Sequence, residues 1–376
     1  MTGPVTETIL PVTMVGSYPR PPWYRYQLHG AHVMDAFKLE EHRQAYEDAT
    51  LAVIRDQEDA GLDIVTDGQM YYDDYGAGIG SLLWFWYERI PGFEKHRRAN
   101  PLLLGPQSGD WAEVAALRQV GGTAVTSKVK PPEGGSGLVE MYRIASERAT
   151  RPLKYCVGAL PGNLGFHVDF DAPGSVYANG QALAEDLIPV FNQELKQLVE
   201  AGCNYIQLDD LSAWLLLRGP EFRWVIDVLN EIIEGVDAKL AWHCCLGAAY
   251  GNSVREFEGQ LARIIDSTYE VNVDQYVLDF ALRDMRDVGC LSGLPGDKEV
   301  SVGVIDVRTL QIESEAEIAQ RMRQALAVVP AERLSFTTDC GMKALHRFNA
   351  QGKLHTLARA AAVVRAELGV PAAAAV

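Results

Sequence analysis

A chain of 376 residues is long enough to bury one large barrel or two modest domains, and 48% hydrophobic with 22% charged residues is ordinary for a soluble globular enzyme. The net charge of -16 leaves no concentrated basic face of the kind that phosphate contacts need, which argues against a nucleic-acid partner. No apolar run reaches the roughly 18 residues of a membrane-spanning helix, and the opening Met1-Thr2-Gly3-Pro4 lacks the basic and apolar sections of a signal peptide, so a cytoplasmic location away from membranes is expected.

Residues 12–16 form a short β-rich run that stops at Gly16-Ser17-Tyr18-Pro19-Arg20-Pro21-Pro22, where the prolines and the glycine predict a fixed loop at a strand end. A helix is predicted over 39–60, closed by Gly61, and Leu62-Asp63-Ile64-Val65-Thr66-Asp67-Gly68-Gln69 supplies the next strand and loop. About 85 residues without this rhythm follow, containing the aromatic run Leu83-Trp84-Phe85-Trp86-Tyr87 and a glycine-rich stretch over 131–137. They are expected to form an insertion, about 70–153, that folds over a barrel mouth; a peripheral subdomain with an ordinary aromatic core is the alternative.

From Lys154 the rhythm becomes regular, with strand-like runs near 154–159, 204–208, 239–244, 275–280, 301–305 and 334–338. Helical patterns lie between most of them, including 182–201, which Pro189 should kink, and 315–328; a closing helix is predicted over 354–368. With the two early strands this makes eight units, and eight βα units in one chain of this length predict an α/β fold, a TIM (β/α)8 barrel spanning 1–376 as a single domain with a long insertion after strand 2.

In such a barrel the chemistry sits at the carboxyl ends of the strands. That rule gathers Ser17, Tyr18, Asp67, Gln69, Pro161, Asn163, Asp209, Asp210, His243, Cys245, Asp279, Asp306, Arg308, Asp339 and Cys340 at one mouth. In Leu240-Ala241-Trp242-His243-Cys244-Cys245 the period of two puts His243 and Cys245 on the same face, and about 95 residues later Thr338-Asp339-Cys340-Gly341 delivers a further thiol. Six cysteines in a chain of this size do not resemble a disulfide framework, so reduced thiols or metal ligands are the default. A lone Cys is most often a small buried hydrophobe, but three nitrogen and sulfur donors with an open position suit catalytic zinc (Zn2+). Asp279 is the candidate fourth ligand, or else a partner of His243. A zinc site of this kind activates a thiol and yields a thioether.

These residues resemble the cobalamin-independent methionine synthases and their short, single-barrel relatives over about 12–368. The segments that carry the likeness are Val15-Gly16-Ser17-Tyr18-Pro19, Asp63-Ile64-Val65-Thr66-Asp67-Gly68, Tyr205-Ile206-Gln207-Leu208-Asp209-Asp210, His243-Cys244-Cys245 and Asp339-Cys340-Gly341-Met342-Lys343. The resemblance implies zinc ligands His243, Cys245 and Cys340, with Asp279 at the family's Glu position, and it makes Asp209 an amino-group ligand. Two departures bear on the substrate. Gln69 stands where the family has a carboxylate for the homocysteine amino group, and Arg308 stands where it has a proton-donating His.

A related branch, the epoxyalkane:coenzyme M transferases or 2-hydroxypropyl-CoM lyases, resembles the chain in size and motif. It implies a sulfonate-bearing thiol and a small epoxide as electrophile. Arg20, Arg25 and Arg308 are then candidate sulfonate cations, and Tyr18 or a tyrosine of the insertion the candidate acid for the developing alkoxide. The leading expectation is therefore zinc-dependent opening of an epoxide by coenzyme M, with methyl transfer from 5-methyltetrahydrofolate or another donor to homocysteine as the alternative. The implied partners are a small-molecule thiol and a small electrophile, with no nucleic acid and no membrane; a homo-oligomer is left open. Two readings from other classes are a zinc-binding protein without catalysis and a metal-free barrel of the uroporphyrinogen decarboxylase type.

Overall fold

Six runs of apolar and β-branched residues pair as one parallel sheet in the order β1 (Tyr155–Gly158), β2 (Tyr205–Asp210), β3 (Lys239–Cys244), β4 (Gln275–Asp279), β5 (Glu299–Ile305) and β6 (Leu334–Thr338). The computed structural model describes residues 5–27, 37–72, 79–94, 122–247 and 260–370, without the side chains of 25–27 and 79–81. These strands are buried almost throughout, as expected of a parallel sheet covered on both faces.

The two early strands close the ring by single bridges instead of ladders. Thr13 N–H donates to the Phe336 carbonyl on β6 (3.0 Å), while Asp63 N–H donates to Val12 (3.0 Å); Val65 N–H then reaches Pro152 (2.9 Å), and Lys154 N–H returns to Val65 (2.8 Å). The physical reason is local: Pro11 and Pro152 flank these pairings and have no N–H to extend them. The result is the predicted TIM barrel. Val15, Ile64, Tyr205, Ala241 and Val277, drawn from five segments, make a small apolar cluster of their own, the inner layer of the barrel.

The outer helices follow their sequence signals where those signals exist. α1 (Glu40–Ala60) ends at Gly61, whose φ of 91° is the left-handed cap that glycine adopts without a steric penalty. α2 (Gly180–Glu200) is capped by the Asn179 side chain and runs through Pro189 as one helix. α3 (Glu315–Leu326) starts on a Ser314/Glu317 capping box. α4 (Arg347–Glu367) begins seven residues before the predicted 354, because it has neither a side-chain cap nor an acidic first turn to mark it. Arg347 ties it to α1 through Asp56, at 2.6 Å.

The described part of the insertion keys onto the carboxyl end of β1. Trp84, Phe85, Trp86 and Tyr87 are fully buried; the Trp86 indole N–H donates to the Gly158 carbonyl (2.7 Å), and the Tyr87 hydroxyl donates to Leu164 (2.8 Å). The glycine-rich stretch docks instead on α2, where Ser136 N–H and Oγ both donate to Glu194 (2.7 and 2.6 Å). Residues 73–78 and 95–121 of the insertion lie outside the described residues. Among the described residues no helix is long and apolar enough to cross a membrane.

Candidate metal centre

β3 ends with His243 turned inward, opposite Asp209 of β2 and Val277 of β4 in the register. Its Nδ1 lies 3.2 Å from the Val277 carbonyl. A carbonyl only accepts, so Nδ1 carries the hydrogen, and the buried Nε2, which has no hydrogen-bond partner, is left as the ligand atom. Cys245 follows on the same face, and Cys340 arrives from the end of β6 with its Sγ 3.5 Å from that of Cys245. One ligand atom from each of His243, Cys245 and Cys340 lies within 4.8 Å of the others. All six cysteines are free.

Electrostatics favour the protonated forms of His243 and Cys245. Burial lowers the His243 pKa, but Cys245, Asp209 and Asp279 outweigh it and carry the imidazole up to about 9. Cys245 is raised first by sharing a proton with Cys340 and then by burial. The Gly247 N–H, at 3.3 Å, also points at the Cys245 sulfur.

Asp279 is not among the three residues whose ligand atoms lie within 4.8 Å of one another. Its Oδ1 accepts from Arg283 Nη1 at 3.0 Å with both side chains fully enclosed, and its Oδ2 is buried without a hydrogen-bond partner. The next strand end is equally crowded: a Cβ at Gly303 would lie 2.4 Å from Asp339 Oδ1, so only glycine fits there. Asp339 accepts the N–H groups of Phe280 (3.0 Å), Ala281 (2.9 Å) and Leu282 (2.6 Å), which fixes the turn after β4 to the strand end bearing Cys340.

Beside His243, on the neighbouring strand β2, lies a second group. Asp209 accepts from two amides, Gln69 Nε2 on Oδ2 and Gln207 Nε2 on Oδ1, each at 2.6 Å. Burial raises the Asp209 pKa, while His243, Gln207, Lys154 and Gln69 hold it down. Burial likewise pushes Asp67 up to about 7, with the Asp209 charge adding to the effect and the Gln69 N–H opposing it. Gln69 sits at φ 52°, an unusual conformation for a side-chain-bearing residue, held by its N–H bond to Asp67 Oδ1 (2.9 Å). Gly16 admits this pair: a Cβ there would come within 2.8 Å of Gln69 and 2.9 Å of Asp209 Oδ2.

The remaining candidates divide. Ser17 is half-buried beside the Cys340 loop, its carbonyl accepting from Met342 N–H at 2.7 Å. Tyr18 is fully buried, and its phenol pKa is raised first by burial and then by the Asp56 charge of α1. Arg20 is buried on its own loop, over the Tyr24 ring and within 3.4 Å of the Met70 carbonyl. Arg308 is committed to Asp306 (3.0 Å) and to the Leu282 carbonyl (2.7 Å). The Arg25 side chain lies outside the described residues.

Sequence reasoning missed two residues by name. Tyr72 brings its hydroxyl to the Gly158 N–H (2.8 Å), and a Cβ at Gly158 would meet that hydroxyl and Asp209, so this is the tyrosine of the insertion that reaches the mouth. Arg283 gave a usable signal, a cation four residues after the strand-end Asp279.

A TIM barrel carrying an imidazole and two thiols at the carboxyl ends of its strands defines the class of this protein. The family model described as "Cobalamin-independent synthase, Catalytic domain" matches residues 10–104 and 177–363. The chain belongs to that family. It is 32% identical over 370 residues to a methionine synthase of Saccharolobus solfataricus and 31% identical over 363 residues to one of Sulfolobus acidocaldarius, covering 96% of this chain in both cases and 96% and 94% of those proteins. The structure of a B12-independent methionine synthase from Shewanella sp. W3-18-1 in complex with selenomethionine is similar in fold, with a TM-score of 0.73 at 24% identity, covering 97% of this chain and all of that one.

Proposed function

We propose that this protein is a zinc-dependent thiol alkyltransferase that moves a methyl group from a small donor onto a thiol, with homocysteine as the acceptor that the methionine synthases among its relatives suggest. The observation that carries the reading is the clustering of His243, Cys245 and Cys340 within 4.8 Å, with the Nε2 of His243 left without a partner. Donors at 2.0–2.3 Å from a shared tetrahedral zinc stand roughly 3.3–3.8 Å apart, and the sulfurs here are 3.5 Å apart. Zinc supplies Lewis acidity that keeps a substrate thiol in its nucleophilic, deprotonated form at neutral pH.

The chain's own residues do the rest. His243 and the two thiols give up their protons to bind the ion, Val277 holds the ring in the ligating tautomer, and Asp209 with Gln69 forms the wall against which the substrate's polar end lies. The substrate sulfur then attacks the methyl carbon, forming the S–C bond as the bond from methyl to donor breaks and the electron pair leaves with the donor. Tyr72, whose hydroxyl burial keeps protonated, stands beside Asp209 as a proton donor to that departing group.

A second reading, opening of an epoxide by coenzyme M, is favoured by one observation. Both oxygens of Asp209 are already occupied by amides, and Gln69 brings no charge, so the wall is poorly matched to an ammonium. The test offers purified protein carrying one equivalent of zinc two mixtures: homocysteine with 5-methyltetrahydrofolate, and coenzyme M with epoxypropane. Methionine from the first is the expected result. Turnover of the second mixture alone would replace the substrates while keeping the metal chemistry, and protein that retains no zinc would end both readings.

A further inference from the structure

Gln69 holds a backbone conformation, φ 52°, that a side-chain-bearing residue keeps only when its surroundings impose it. Within its own turn, Gln69 N–H donates to Asp67 Oδ1 (2.9 Å), and its carbonyl accepts from Tyr72 N–H (3.3 Å). The first loop of the chain then grips both neighbours of Gln69. Tyr18 N–H donates to the Gly68 carbonyl (3.0 Å), and the Tyr24 hydroxyl donates to the Met70 carbonyl (3.0 Å), which Arg20 Nη2 also approaches at 3.4 Å.

Tyr24 is itself well anchored for this task. It lies on the short helix Pro22–Gln27, has no exposed surface, and packs under the Arg20 guanidinium, 5.7 Å from its ring centroid, and against the Tyr46 ring of α1, with centroids 6.3 Å apart. The consequence falls on the Gln69 side chain, whose Nε2 meets Asp209 Oδ2 at 2.6 Å in the space left by the missing Cβ of Gly16. A turn that relaxed toward ordinary φ would carry the amide out of that contact. We propose that Tyr24 is a positioning residue that sets thiol selectivity through Gln69: by fixing the Met70 carbonyl it keeps the amide on Asp209 and gives the wall one shape toward the substrate's polar end. This role rests on the wall assigned to Asp209 and Gln69 under the proposed function. A tyrosine that only filled the core would affect all thiols alike.

The test uses the full chain loaded with cobalt(II), whose visible absorption changes when a sulfur joins its ligands, and compares homocysteine with propanethiol, whose tail has no polar group. Y24F removes the hydroxyl and keeps the ring. The homocysteine concentration at the spectral midpoint should rise about threefold or more, the size expected from one lost buried hydrogen bond, while the propanethiol midpoint stays unchanged. In a Gln69→Ala background, Y24F should move neither midpoint, because the group it acts through is gone. No rise for homocysteine, an equal rise for both thiols, or a rise that survives without the Gln69 side chain overturns the proposal. Hydrogen exchange of the metal-free protein tests the brace without any thiol. The Gln69 N–H should exchange about tenfold faster in Y24F with the α1 amides unchanged, and an unchanged Gln69 rate overturns the proposal. Native protein that takes up no cobalt marks the failure of the metal reading, and native protein that binds homocysteine no better than propanethiol marks that of the acceptor reading; in either case the exchange rate decides the brace alone.

Discussion

Two neighbouring groups of polar atoms at the barrel mouth differ in how they are employed. On the β3 and β6 side, His243 Nε2 has no hydrogen-bond partner, and two sulfurs lie within hydrogen-bond distance of each other at 3.5 Å. On the β2 side, Asp209 takes an amide on each oxygen, and Gln69 is held in a left-handed conformation to provide one of them. The first side is arranged to accept something from outside, and the second is already satisfied by the protein. Under the proposed function, chemistry and selectivity would be carried by neighbouring groups, Asp209 standing next to His243 in the register.

The largest effect should come from emptying the first side. Cys340→Ala removes a donor and is expected to reduce bound zinc from one equivalent to below a tenth, with thiol alkylation falling more than the roughly 100-fold typical of losing a residue that only supports a ligand; elemental analysis and turnover check both. On the β2 side, Gln69→Glu supplies the missing charge. It should lower the homocysteine KM about tenfold, equivalent to about 1.4 kcal/mol, without altering bound zinc. Equal effects of the two substitutions on metal content would erase the distinction between the sides.

A smaller effect follows from the packing under the satisfied side. Gly16→Ala would push a methyl into the Gln69–Asp209 pair at a φ of 20°, and chemical denaturation should show a loss of about 1–3 kcal/mol. The smallest effect is on pH dependence. Asp67, at about 7 in the fold against about 3.9 when unfolded, keeps its proton in the native state after the unfolded chain has lost it. Between those values the native state binds more protons, so this residue makes stability fall as pH rises from about 4 to 7. Asp67→Asn keeps the acceptor for the Gln69 N–H and should flatten that slope, seen as denaturation midpoints at pH 5 and pH 7 moving closer together.

The legible parts of the sequence were those governed by period and punctuation. β2 to β6 fall within about two residues of their predicted runs because each is an apolar stretch between turn residues, and the alternation at the end of β3 placed His243 and Cys245 together. What alternation cannot supply is direction in a loop. Tyr72, whose place depends on how the insertion folds back, brings its hydroxyl to the Gly158 N–H at the carboxyl end of β1. Asp279 was legible as a strand-end carboxylate, whereas its engagement with Arg283 depends on the turn that brings a residue four positions later back onto it.

The Met342 to Ser17 hydrogen bond joins the loop bearing Cys340 to the first strand end of the chain, and a Cβ at Gly341 would overlap Ser17 Oγ at 2.0 Å. The last sulfur therefore takes its position from a segment made more than three hundred residues earlier. A partly assembled chain can present His243 and Cys245, but it lacks the seam that sets Cys340. Loading of the ion would then act as a checkpoint on completed folding, and a protein lacking the residues up to and including Ser17 should bind less than a tenth of the native equivalent of zinc.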